Sequence, residues 1–189
     1  VIQVFVGNVQ TFSTIHSVGT MSDGARISSS ILGKAIRMAD HWGGIEGKKV
    51  DTSGANITST GSGVCNSNWL LNTEEGIRGY DGTSAVPPLD CIDAASYQQS
   101  TDVLVLRYAD SAGMTNTLNA NTNYARVVSG EEVDLFKGSD GTPSGLPDQW
   151  GTSNMPYRVE VYFIRSCSIK HATEGCKDNI PTLTRLTLR

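Results

Sequence analysis

The chain has 189 residues and a mass of 20.2 kDa, which is enough for one domain with a sizeable core. With 15 basic and 19 acidic residues the net charge is −4, and no basic run is present, which argues against a nucleic-acid-binding domain. A hydrophobic content of 38% and a charged content of 18% exclude typical intrinsic disorder, and the 69 Gly, Ser, Thr and Asn residues favour a loop-rich, β-rich exported domain.

The first 39 residues are predicted to form one long helix, because they contain no proline and turn-forming residues begin only at Asp40. At about 100° per residue, one apolar set lies on a single side of this helix: Ile2, Phe5, Val9 and Phe12. A second apolar set lies on nearly the opposite side: Val18, Met21, Ala25, Leu32, Ala35 and Ile36. A break near Gly19, which would give two shorter helices, is the alternative.

A helix whose apolar side changes midway needs two different partners. We expect the second set to form a helix-to-sheet core within the chain, and the first set to face partners outside it. Because the sequence opens on the apolar residues Val1 and Ile2 without an initiator methionine, we also expect a hydrophobic membrane segment upstream.

The region from residue 43 to residue 101 is rich in Gly, Ser, Asn and Thr and is predicted to consist largely of loops. Short strands near Trp69–Leu71 and around Ala85–Val86 are compatible with the local residue types. Pro87 and Pro88 exclude a central strand at that point.

The four cysteines include no C-x-x-C pair, which argues against a zinc ribbon or a thioredoxin-type site: Cys65, Cys91, Cys167 and Cys176. Three pairings are possible, and pairing of neighbours, Cys65–Cys91 and Cys167–Cys176, closes the shortest loops. We expect disulfides and therefore an oxidising compartment. Four buried, inert thiols are the alternative.

The second half of the chain is predicted to be β-structure. Residues 102–109 are apolar on both faces at first, which predicts a central strand covered on both sides. Residues 157–165 are rich in β-branched and aromatic side chains and form the clearest strand pattern. Further strands are predicted at 124–129, 133–136 and 182–188, with a turn-rich loop at 137–151.

These elements predict a single α+β domain over residues 1–189. A long N-terminal helix, residues 1–39, would precede a loop-rich β region, residues 43–189, with a mostly antiparallel sheet.

No sequence motif for catalysis or cofactor binding is found. The nucleophile elbow and both glycine-rich phosphate loops are absent, and His16, His41 and His171 have no partners at metal-ligand spacing. We therefore expect a non-enzymatic protein without cofactor or metal. An exported carbohydrate-binding or hydrolytic β-domain is a rival, and it would need Glu131, Asp134 or Trp150 to line a deep pocket.

Several segments resemble the PilW family of type IV pilus minor pilins. At the start these are VIQVFVGN at 1–8, DGAR at 23–26 and KAIRMADHWGG at 34–44. Further on they are DVLVLRYA at 102–109, residues 157–167 and IPTL at 180–183. The sequence departs from the family at Gly44, where many members have cysteine, and it stops at Arg189, short of the usual length.

The resemblance implies a pilin-like fold, in which a long helix is membrane-bound before assembly and buried in the filament afterwards. Ile2, Phe5, Val9 and Phe12 would then be the subunit interface on the helix. The implied role is to prime pilus assembly and to occupy the tip, which supports adhesion and twitching motility.

The partners implied by the resemblance are other minor pilins, the major pilin, a tip adhesin and the inner membrane. The implied location is the periplasmic side of the bacterial inner membrane, then the pilus at the cell surface. A minor pseudopilin of a type II secretion system is the nearest alternative.

Overall fold

A computed structural model describes residues 2–55, 57, 64–128, 130–146, 151–171 and 175–188, with side chains for all of these except 2–11, 13, 14 and 188. The described chain is an α+β protein with one long helix and a curled, mostly antiparallel sheet. It divides into two compact units, residues 1–37 and residues 38–189.

The first unit consists of helix α1, which begins at Ile2 and continues unbroken to Met38. The prediction of one long helix is confirmed, and the alternative of a break near Gly19 is wrong. Gly19 and Gly24 each weaken a helix by about 1 kcal/mol relative to alanine, but neither ends this one. The helical region stops before Asp40, whose φ of 62° is incompatible with a continuing right-handed helix.

The second unit contains a seven-stranded sheet in the order β1-β5-β4-β6-β3-β2, with β9 also paired to β6. The bounds of these strands are β1 Asp51–Gly54, β2 Ile77–Tyr80, β3 Val103–Ala109, β4 Asn123–Val128, β5 Glu132–Lys137, β6 Thr152–Arg165 and β9 Thr182–Leu188. The pairing of β1 with β5 is parallel and the other pairings in this sheet are antiparallel. A separate hairpin joins β7 Lys170–His171 to β8 Gly175–Cys176, and a short helix, α2, spans Ser67–Leu70.

Strand β6 joins the two halves of the sheet. Its residues 152–156 pair with β4, its residues 157–162 pair with β3, and its residues 159–165 pair with β9. Pro156 lies where the partner changes, and its carbonyl accepts a hydrogen bond from the backbone N–H of Asp110. Proline has no N–H to donate, so it fits this point of the strand without leaving a donor unpaired.

The core is formed mainly by alternate residues of four strands, as the period of two in a β-strand requires. These residues are buried and belong to one cluster: Val103 and Val105, Ala125 and Val127, Val133 and Leu135, Val159 and Val161. Tyr157 of β6 belongs to the same cluster, and Trp42 and Leu89 join it from other parts of the second unit.

The strands predicted from β-branched and aromatic runs are present, and β3 is a central strand, paired on one side with β2 and on the other with β6. The short strand predicted near Trp69–Leu71 is wrong, because these residues lie in and after α2. There the Asn66 side chain accepts a hydrogen bond from the Trp69 N–H and caps the helix. No strand forms at Ala85–Val86.

Candidate functional site

The residues that follow helix α1 are hydrogen-bonded to the last residues of strand β3. The backbone N–H of Asp40 donates to the carbonyl of Arg107 at 2.9 Å, and the N–H of Ala109 donates to the carbonyl of His41 at 2.9 Å. Both partners belong to the central strand β3. The chain therefore leaves the helix through a segment that lies beside β3, beyond the end of β2.

Trp42 and Gly43 hold this connecting segment in the core. Trp42 is almost fully buried, its ring centroid lies 5.9 Å from that of Tyr157, and its Nε1–H donates to Asp40 Oδ1 at 2.8 Å. Gly43 has a φ of +66°, and a Cβ at this position would lie 2.1 Å from Cγ1 of Val127. Only glycine fits here, so the DHWGG residues form a turn that must approach β4 closely.

Helix α1 carries many large apolar side chains that are exposed. They are 43% to 74% exposed and are Phe12, Ile15, Val18, Met21, Ile27, Ile31 and Ile36. A helix of 37 residues is about 55 Å long, so these side chains are spread over most of an extended rod. Single exposed apolar residues are common in proteins, but so many on one helix make it a candidate interaction surface.

Three of these side chains share one side of the helix. At about 100° per residue, Phe12, Ile27 and Ile31 fall within about 100° of one another. Ile15, Ile27 and Ile31 are not among the residues predicted from the sequence. The i, i+4 spacing of Ile27 and Ile31 is the sequence feature that indicates a shared side of the helix.

The predicted subunit interface lies mostly outside the described side chains. This applies to Ile2, Phe5 and Val9, so their interface role stays a prediction. Phe12, the fourth residue of that set, is 74% exposed and available to a partner.

The prediction that the second apolar set forms a helix-to-sheet core stays a prediction. Val18, Met21, Ala25 and Ile36 have exposed side chains, whereas Leu32 is partly buried and Ala35 is buried. Between Met21 and Leu32 this side of the helix offers mainly alanine and serine. It therefore lacks the continuous apolar stripe that burial of a helix requires.

The cysteines form two disulfides, which join Cys65 to Cys91 and Cys167 to Cys176. The first closes the region around α2, and the second closes the β7–β8 hairpin. Their sequence separations are 26 and 9 residues. The expectation of disulfides is confirmed, and both pairs are the neighbour pairs.

The carboxylate of Asp178 organises the disulfide-closed hairpin. It accepts hydrogen bonds from the backbone N–H groups of Ser168, Ile169 and Ile180, and one from the Ser168 hydroxyl. Led by the bonds from Ser168 and Ile180, these contacts lower the pKa of Asp178 to about 2. Asp178 is therefore ionised over the physiological pH range and holds the hairpin to the start of β9.

A buried polar cluster occupies β6 and β9. Glu160 is buried, accepts a hydrogen bond from the Tyr162 hydroxyl at 2.7 Å and lies 3.3 Å from Nη1 of Arg185. Burial, followed by the hydrogen bond to Glu160, raises the pKa of Tyr162 to about 12. Each charged or polar group in this cluster has a partner, so its geometry is that of a structural network.

The residues named for a hydrolytic rival are described only in part. Glu131 is exposed, Asp134 is partly buried, and Trp150 lies outside the described residues. Among the residues with described side chains, no group of three or more His, Cys, Asp and Glu side chains could hold a metal ion. His16 and His171 are exposed and His41 is partly buried.

Comparison with protein-family models, with curated proteins and with solved structures gives no match to this chain. In the described part of the chain, none of the helices combines the length and the apolarity needed to cross a membrane. The feature that stands out is the long helix with its exposed apolar side chains, joined to a disulfide-closed β-unit.

Proposed function

We propose that this chain is a non-enzymatic minor pilin of the PilW type, which primes assembly of a type IV pilus and occupies its tip. The helix would contact other minor pilins and the major pilin, and the β-unit would face a tip adhesin. The protein would begin at the periplasmic face of the inner membrane and end at the cell surface, where it supports adhesion and twitching motility.

The observation that carries the proposal is the 37-residue helix with exposed apolar side chains from Phe12 to Ile36. Burying one large apolar side chain contributes about 1.5–3 kcal/mol before ordering costs, so a helix of this kind gains stability when other subunits enclose it. A filament whose interior is made of parallel helices would provide that enclosure.

Two further features support the same role. Both disulfides fit an oxidising compartment such as the periplasm. The KAIRMADHWGG segment, which resembles the PilW family, forms the end of the helix and the turn that anchors it to β3 and the core.

The test is to replace Phe5 and Val9 by aspartate in the full-length protein, in the bacterium that produces it. We expect fewer surface pili and less twitching, because two carboxylates would enter an apolar helix interface. Pili are counted by electron microscopy and by shearing. The purified variant should keep its circular dichroism spectrum.

The matched control is Gln3→Asp with Gln10→Asp, which adds the same charge to the same part of the helix on the side away from Phe5. This control should leave piliation near the wild-type level. Normal piliation in the Phe5→Asp, Val9→Asp variant would contradict the proposal.

A minor pseudopilin of a type II secretion system would use the same helix. The same variant distinguishes the two machines, because a pseudopilin would lose export of secreted enzymes while pili remain.

A further inference from the structure

The C-terminal half of helix α1 carries an exposed surface that combines charge with apolar side chains. Arg26, Lys34 and Arg37 fall within about 80° of one another, and Ile27 and Ile31 lie directly beside them. All five side chains are exposed. We call these five residues the basic helix surface.

The positive charge of this surface is not neutralised within the described part of the chain, where none of its three cations forms an ion pair. Asp23 is the one acidic residue of the helix and forms no ion pair there either. Three of the 15 basic residues and one of the 19 acidic residues lie in residues 1–37, so this unit has a net charge of +2 and the remainder has −6.

The edge of the sheet at β1 and β5 carries the opposite charge. Asp51 is the register partner of Asp134 in the parallel β1–β5 pairing, and Glu132 lies two residues before Asp134 on the same face. We call these three residues the acidic edge. Asp51 and Glu132 are exposed and Asp134 is partly buried.

No cation forms an ion pair with the acidic edge within the described residues. Arg126, the register partner of Asp134 on β4, donates from Nε to the Leu146 carbonyl and from Nη1 to the Asn154 side chain. Burial, then Asp51 and Glu132, raise the pKa of Asp134, as expected where like charges meet without a counter-ion.

We infer that the basic helix surface of one chain docks on the acidic edge of a second copy of the same chain. Neither surface by itself names a partner, but each supplies the charge that the other lacks. Lys34 and Arg37 are about one helical turn apart. This spacing is similar to that between Glu132 and Asp134, which lie about 7 Å apart on one face of a strand. Ile27 and Ile31 add apolar contact beside the charges.

The two surfaces are different patches, so the contact is heterologous and does not close into a symmetric dimer. Association would continue head to tail as concentration rises. The inference goes beyond the proposed function, because the purified chain can associate without a pilus. Its failure would leave the pilin proposal standing, since that proposal depends on Phe5 and Val9.

The test uses the purified chain, in sedimentation velocity at low salt over a range of concentrations. We expect the mean mass to rise past that of a dimer with concentration and to fall as salt shortens the screening length from about 10 Å at 0.1 M to about 3 Å at 1 M. Arg26→Glu with Lys34→Glu should weaken self-association by about tenfold or more, because acid would then face acid. Asp51→Lys with Glu132→Lys should weaken it similarly.

Mixing the two double variants is the decisive arm. The helix of the first variant, whose charge is reversed to negative, is complementary to the edge of the second, whose charge is reversed to positive. The unchanged helix of the second variant is likewise complementary to the unchanged edge of the first. The mixture should therefore associate like the wild type. The control Arg78→Glu with Lys170→Glu makes the same change in net charge as the helix variant, on β2 at the other end of the sheet from β1 and on the separate β7–β8 hairpin, and should associate normally. The far-ultraviolet circular dichroism of every variant should match that of the wild type.

The inference is overturned if the wild-type chain remains monomeric at low salt, if its association is insensitive to salt, or if the mixture of folded variants fails to associate.

Discussion

The buried guanidinium of Arg107 is the clearest single-residue feature of the β-unit. Arg107 is fully buried, its Nη1 donates to the Glu75 carbonyl at 2.8 Å, and its Nη2 donates to the Trp69 carbonyl at 3.0 Å. The guanidinium carbon also lies 4.5 Å from the centroid of the Trp69 ring. This one side chain therefore fixes the loop around α2 to the central strand.

Arg107→Lys should lower the free energy of unfolding by about 2 kcal/mol, because lysine cannot make both hydrogen bonds and stack on Trp69. Urea denaturation followed by tryptophan fluorescence measures this loss. Arg158→Lys, which alters a weaker ion pair to Asp110 at 3.5 Å, is the matched control and should cost less than about 1 kcal/mol. Equal losses in the two variants would contradict the role given to Arg107.

Asp134→Asn should stabilise the chain at neutral pH, by less than about 1 kcal/mol after allowance for solvent screening. Burial, then Asp51 and Glu132, raise the pKa of Asp134 in the folded state, so the folded chain binds this proton more tightly than the unfolded chain. The stability from this group is present at acidic pH and is lost as pH rises through the folded-state pKa.

The measurement is urea unfolding of wild type and Asp134→Asn across that pH range, with exposed Asp81→Asn as the control. The difference between wild type and Asp134→Asn should grow from acidic to neutral pH. A variant that is less stable than the wild type at neutral pH would contradict the electrostatic argument.

At the scale of elements, the sequence predicts a helix or strand when the local residue types are enough to specify it. Helix α1 follows from a proline-free stretch, and β3 and β6 follow from dense β-branched and aromatic residues. β1 and β2 were missed because their sequences, Asp51–Gly54 and Ile77–Tyr80, are short and contain glycine and charged residues. They are strands because β5 and β3 provide hydrogen-bond partners, which no local pattern records.

The two disulfides should differ in their effect on stability. The Cys65–Cys91 bond closes the longer loop and therefore removes more entropy from the unfolded chain. Replacing both of its cysteines by serine should cost about 3.5 kcal/mol, and the same change at Cys167 and Cys176 about 2.7 kcal/mol. Urea denaturation of the two double variants gives the order, and a larger loss from the Cys167–Cys176 pair would contradict this account.

At the scale of the whole molecule, the fold class and the disulfides were predictable, whereas the order of the strands was not. β9 pairs with β6 and β1 pairs with β5 across long separations in sequence, and such pairings depend on the three-dimensional fit of the whole sheet. The candidate interface was predicted only in part. Apolar periodicity identifies the sides of a helix, but it does not say which side is covered, as Val18 and Met21 demonstrate with their exposed side chains.

The anchoring of residues 40 and 41 to β3 has a mechanical consequence. Tension along the helix would load the two backbone hydrogen bonds from residues 40 and 41 to β3, and then the buried Trp42 side chain. These contacts lie beyond the end of β2, which pairs with residues 103–106 of β3, so they would give way before any two strands of the sheet separate.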